Sequence, residues 1–145
     1  MGLWMPFSQA NANALLQAHK VLAANIRWRQ QPSRRGRRYK LEARVLVRDT
    51  GELLTLKGTV GKTNFSFALL YANYPICKYT KHHKHHNPTC QVLTRGHIHT
   101  WDELHEDGMA EEANHIDEGD INNAFMQFLK ECNIQLIGTY KPFLF

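Results

Sequence analysis

The chain has 145 residues, 43% of them hydrophobic, with a formal charge of +5. This length and apolar content fit one domain over residues 1–145 and exclude global disorder; no apolar run approaches the roughly 20 residues of a membrane span. Nine basic residues and one acid lie between Arg27 and Arg48, and nine acids with no Lys or Arg between Asp102 and Asp120, so a polyanion-binding face with an acidic counter-face is expected.

Met1 to Phe7 is apolar but short, with no basic leader or small-residue cleavage site, and is not expected to be a secretory signal. Ser8 to Arg29 reads as a helix: Ser8 is a suitable N-cap, and Leu15, Leu16, His19, Leu22 and Ile26 recur at helical spacing. Pro32 and Gly36 end it, leaving Gln31 to Arg38 as a basic loop. From Tyr39 to Arg48 apolar and charged residues alternate, Leu46 excepted, as in a half-buried strand with a basic outer face. Asp49-Thr50-Gly51-Glu52 is a turn, and Leu53 to Val60 is the return strand of a hairpin. After a turn at Gly61 to Asn64, Phe65, Phe67, Leu69 and Tyr71 alternate in a third strand running toward Tyr79. Lys81 to Pro88 reads as a loop, Gln91 to Trp101 as a fourth strand, and the acidic stretch Asp102 to Gly119 as a surface loop or short helical turns. Asp120 caps a last helix, Ile121 to Cys132, with an apolar stripe of Ile121, Phe125, Phe128 and Leu129; Ile134 to Tyr140 is a short edge strand or tail. The expected class is α+β: an N-terminal helix, an antiparallel sheet of about four strands, and a C-terminal helix packed on one face.

Three cysteines, Cys77, Cys90 and Cys132, are an odd number at no metal-like spacing, which implies reduced thiols and a cytoplasmic chain. Cys132, at the end of the helix stripe, is expected in the core. Trp4, Phe7, Phe143 and Phe145 are apolar for chain termini, and either dock on the domain or form a homodimer contact.

The chemistry concentrates in His82-His83-Lys84-His85-His86-Asn87-Pro88, followed by His97-Ile98-His99. In a strand, His97 and His99 share a face about 7 Å apart, and a loop folded over its return strand brings His85 or His86 beside them. Three readings stand. In the first, His97 and His99 with His85 or His86 act as general acid and base on an RNA phosphodiester, with no cofactor, while Lys78, Lys81, Lys84 and Arg95 hold the phosphate. In the second, His85, His97 and His99 ligate zinc with one position open. In the third, the histidines are ordinary surface and strand residues.

Arg34, Arg35, Arg37 and Arg38 form the densest basic run, continued by Lys40 and Arg44 on the strand. Arginines pair with phosphates in a bidentate manner, and Trp28 and Tyr39 flank the run as stacking platforms for an unpaired base. An acidic protein fits the same face; a membrane surface does not, because no amphipathic basic helix accompanies the run. Glu103, Glu106, Asp107, Glu111, Glu112, Asp117, Glu118 and Asp120 offer ligands for a Mg²⁺ site, but they match no calcium loop and read rather as a solvated acidic face.

His85-His86-Asn87-Pro88, His97-Ile98-His99 and Phe128-Leu129-Lys130-Glu131-Cys132-Asn133-Ile134 resemble the H-x-N-P, H-x-H and F-x-x-x-C-N-I motifs of a family of small uncharacterised bacterial and prophage proteins, over roughly residues 65 to 134. The loop followed by a same-face His pair is also similar to TumE-like toxins of toxin–antitoxin modules. That likeness implies a small basic RNA-directed toxin with a neutralising acidic antitoxin, and puts His85, His97 and His99 in its site. Thr89 and Cys90 stand where that pattern has aspartate and glycine. The expected function is thus a basic nucleic-acid-binding protein, a metal-independent endoribonuclease of toxin type. The alternatives are a non-enzymatic phage or host-defence inhibitor acting through its arginine-rich face, and a histidine-ligated metalloprotein.

Overall fold

The computed structural model describes residues 7–32, 34, 36–81, 85–86, 92–93, 96–102, 104 and 109–144. In chain order the elements are α1 (Gln9–Gln17), β1 (Lys20–Leu22), β2 (Ile26–Arg27), β3 (Arg29–Gln31), β4 (Arg38–Val47), β5 (Leu53–Val60), β6 (Phe65–Tyr71) and β7 (Tyr74–Thr80). They continue with β8 (His85–His86), β9 (Val92–Leu93), β10 (His97–Thr100), β11 (Ala110–Glu112), α2 (Ile121–Glu131), β12 (Ile134–Leu136) and β13 (Tyr140–Lys141). Among the described residues the main sheet has nine strands, in the order β11-β10-β7-β6-β5-β4-β1-β12, with β3 also paired to β4. The β1–β12 ladder is parallel and the other pairings of this sheet are antiparallel.

Strict alternation builds the centre of this sheet. Leu41, Val45, Leu54, Leu56, Phe67 and Leu69 are buried on one face, and α2 packs on that face at β6. Asp120 opens α2 by accepting from the backbone N–H groups of Asn122 and Asn123, which satisfies two of the donors a helix start leaves over. Phe125 and Phe128 then set their rings 5.5 and 5.6 Å from that of Phe67. Gly58 leaves a gap in the same face that the indole of Trp28 fills; a Cβ there would stand 2.8 Å from Trp28 Cη2.

The α+β class and the C-terminal helix follow the sequence reading, but several expectations need correction. The sheet is larger than four strands. The N-terminal helix ends at Gln17, not Arg29: Ala18 is extended (ψ 143°), and the next residues pair as β1 with β4 and with β12. Alanine-rich local propensity yields here to ladder formation on both sides of Val21. The third strand folds into the β6–β7 hairpin, closing on Tyr71 opposite Tyr74; its first loop residue is Ala72, left-handed at φ 52°, a conformation alanine does not advertise. Within the expected Lys81 to Pro88 loop, β8 pairs with β9, and the expected fourth strand is divided into β9 and β10. The acidic stretch contains an edge strand, β11, and the tail contains β12 and β13, which pair in parallel with β1 and β2.

Phe7 packs within the molecule, stacked on Tyr74 at 4.6 Å and edge-on to Trp101 at 4.8 Å, and Phe143 lies against Tyr39 at 5.0 Å; Trp4 and Phe145 are outside the described residues. Cys77 and Cys132 are buried free thiols, and burial, with the adjoining Cys77 thiol, pushes the Cys132 thiol well up from its ordinary value. Cys90 is outside the described residues. No helix among the described residues is long and apolar enough to cross a membrane.

Candidate nucleic-acid interface

Residues directly opposite on neighbouring strands share a sheet face, so the register identifies what lies opposite the α2 side. From β3 to β5, Arg29 faces Lys40, Gln31 faces Arg38, Lys40 faces Thr59, and Glu42 faces Lys57. The lane continues from Thr59 to Ser66, whose hydroxyls are 2.8 Å apart, and from Lys57 to Ala68. Ser66 then faces Thr80, and Ala68 faces Lys78. On β10, His97 stands opposite Thr80 and His99 opposite Lys78. On β11, Glu112 faces His97 and Ala110 faces His99. One face thus carries Arg29, Arg38, Lys40, Arg44, Lys57 and Lys78 against Glu42 and Glu112, with the imidazole pair at its far end. Arg38, Lys40, Arg44 and Lys57 are exposed and Lys78 is half-buried.

The expected same-face pair of His97 and His99 is present, with ring centroids 4.9 Å apart and planes at 56°. The pair is enclosed: His97 is 1% and His99 8% exposed. Gly96 fixes the start of β10. Its N–H donates to Glu118 Oε2 at 2.9 Å, and its carbonyl accepts from Ala113 N–H at 2.9 Å. Tyr79 lies against Gly96; its phenol is pushed up to about 12, first by burial and then by the Glu118 and Asp117 carboxylates. Two imidazoles this close suit proton exchange between a donor and an acceptor, while their burial limits what substrate can reach them.

On β8, His85 stands opposite Leu93 and His86 opposite Val92, and β9 runs beside β11. The side chains of His85 and His86, and all of Arg35, Lys84 and Arg95, lie outside the described residues, as do Glu103, Glu106 and Asp107 of the acidic stretch. Among the described residues no three His, Cys, Asp or Glu side chains are grouped to hold a metal ion.

Arg34, Arg37 and Arg38 are exposed. Arg37 and Arg38 join Lys62, Asn64, Ser66 and Thr80 around a hollow of about 280 Å³ at one end of the polar face. Lys81 is half-buried, its ammonium 5.3 Å from the Phe65 ring centre. The sequence reading missed a second basic cluster. Arg27, Arg29, Lys40 and Lys141, with Glu42, line a concavity of about 760 Å³. Its signal is the Arg27-Trp28-Arg29 alternation, which a helical reading of that segment hides; Lys141 joins it only through the β2–β13 ladder.

A model for a family of unknown function (DUF6978) matches residues 7–134. No curated protein and no solved structure matches the chain.

Proposed function

The chain belongs to the DUF6978 family, and we propose that it is a nucleic-acid-binding protein that takes RNA on the polar face of its sheet. The observation that supports this reading is the run of side chains from Arg29 and Lys40 through Lys57 to Lys78, with Glu42 the one acid among them on β3 to β7. An array of predominantly positive charge attracts a polyanion and gains from counterion release on binding. Arginines add bidentate contacts to phosphate oxygens that lysine does not make. An acidic protein, such as an antitoxin, is the natural competitor for the same face.

A second reading, metal-independent RNA cleavage of toxin type, is favoured by the imidazole pair standing beside Lys78 on that face. His97 and His99 would exchange protons with the 2′-hydroxyl and the leaving oxygen, and Lys78 would hold the phosphate. Labelled RNA incubated with the purified chain, with and without EDTA, tests both readings. Retention of the RNA without cleavage supports binding alone, and cleavage that survives EDTA supports the nuclease. Cleavage lost in EDTA moves the reading to a histidine-ligated zinc site. RNA neither bound nor cut overturns the proposal. Arg37→Ala with Arg38→Ala is expected to weaken RNA binding by roughly tenfold or more, as two lost phosphate contacts should.

A further inference from the structure

We infer that the concave edge built by β2, β3, β4 and β13 is a subsite for single-stranded RNA, with phosphates on Arg27, Arg29, Lys40 and Lys141 and an unpaired base in the adjoining aromatic hollow. This rests on the RNA reading above and gives it a location and a strand preference.

The cations here are arranged against the stability of the fold. Arg27 is the β2–β13 register partner of Lys141, and Arg29 is that of Lys40. Like charges facing each other across a ladder repel. None of the four is ion-paired to a described residue, and all are exposed. Among the described residues Glu42 is the one carboxylate lining the concavity, so an excess of positive charge surrounds about 760 Å³ of space. An anion with more than one charged group relieves both repulsive pairs at once.

The second half of the site is aromatic. Arg27, Arg29 and Lys141 also line a neighbouring hollow of about 400 Å³ formed with Trp28, Tyr39 and Phe143. Its walls are held in place. Trp28 Nε1 donates to the Tyr140 hydroxyl at 2.8 Å, and that hydroxyl donates to Asn122 Oδ1 at 2.6 Å. Asn122 Nδ2 donates to the Phe143 carbonyl at 3.0 Å, and Phe143 N–H donates back to Asn122 Oδ1 at 2.8 Å. Phe143 stands edge-on to both Trp28 and Tyr39. Rings fixed in this way lose little freedom when a base stacks on them. A duplex keeps its bases stacked inside, and an acidic peptide leaves the aromatic hollow unused, so the pairing of cations with rings favours a single strand.

Fluorescence anisotropy of a labelled ten-nucleotide RNA, single-stranded and as a blunt duplex, tests the assignment with the full chain. The single strand is expected to bind more tightly than the duplex, and Arg27→Ala with Lys141→Ala to weaken it about tenfold or more. RNA should quench tryptophan fluorescence in the wild type and much less in Trp28→Phe. Arg29→Gln is an independent variant at an exposed position and should weaken binding in the same direction. If the wild type binds RNA but these variants bind it unchanged, or duplex is preferred, the subsite is wrong and the RNA reading stands. If the wild type binds no RNA, or binds only an acidic peptide, both fail.

Discussion

Lys20 is fully buried, yet each of its three ammonium hydrogens has an acceptor. Nζ donates to the carbonyls of Leu16 at 2.8 Å, Ala18 at 2.7 Å and Cys132 at 2.7 Å. The residue thus ties the end of α1 to the end of α2 and satisfies carbonyls that helix ends leave over. Desolvation lowers its pKa to about 8, with the Cys132 and Cys77 thiols acting the other way. Replacing a buried charge with an apolar residue is often neutral, but here Lys20→Met takes the donor from one buried and two part-buried carbonyls, and that loss outweighs the relief of desolvation. We expect a loss of about 2 kcal/mol near neutral pH in urea unfolding. The folded pKa lies below the unfolded value, so the stability linked to this titration is fully present above about 10.5 and is lost as pH falls through about 8, leaving the hydrogen-bond contribution at neutral pH. The gap between wild type and Lys20→Met should therefore widen from pH 7.5 to 10; a constant gap contradicts the assignment. None of this was legible in the sequence, where Lys20 reads as one more basic residue on a helix, because its Cys132 partner is 112 positions away.

At the scale of elements, β10 depends on a residue outside it. A Cβ on Gly96 would run into the Tyr79 hydroxyl, and that hydroxyl is buried with no hydrogen-bond partner among the described residues. Gly96→Ala should therefore destabilise the fold by about 2 kcal/mol, and Tyr79→Phe in the same chain should restore part of it by removing the clashing oxygen, the ring carbons at 3.0 and 3.1 Å accounting for the rest. Equal loss in the single and double variants, read from chemical unfolding, would contradict this packing. The β4–β5 hairpin and α2 were legible because their signals are local: alternation, a Gly51 turn at φ 75° and the Asp120 cap. The β1–β12 and β2–β13 ladders were not, since they join residues more than 110 positions apart and carry no local pattern. The histidine pair divides along the same line. Period-two spacing put His97 and His99 on one face, whereas nothing in that spacing tells that both rings are enclosed.

At the scale of the molecule, α2 packs on one face of the sheet, and the other face has a basic lane from Arg29 to Lys78. The sequence reading found the basic run near residue 38 and the imidazoles near residue 98; the register puts both on one face, through Thr59, Ser66 and Thr80. It counted Arg27 and Arg29 in the basic segment but did not group them with Lys141, a neighbourhood that depends on the small β2–β13 pair. If this face binds RNA, affinity is governed by phosphate contacts and falls with salt, the logarithmic slope measuring their number at about 0.7 per contact for a single strand. The most direct test is the affinity of the wild type and of Arg44→Glu with Lys57→Glu for single-stranded RNA across about 50 to 200 mM salt. The wild type should lose affinity by orders of magnitude over that range, and the charge reversal should weaken binding and flatten the slope. Absence of binding at the lowest salt, or a slope that the reversal leaves unchanged, would contradict the account.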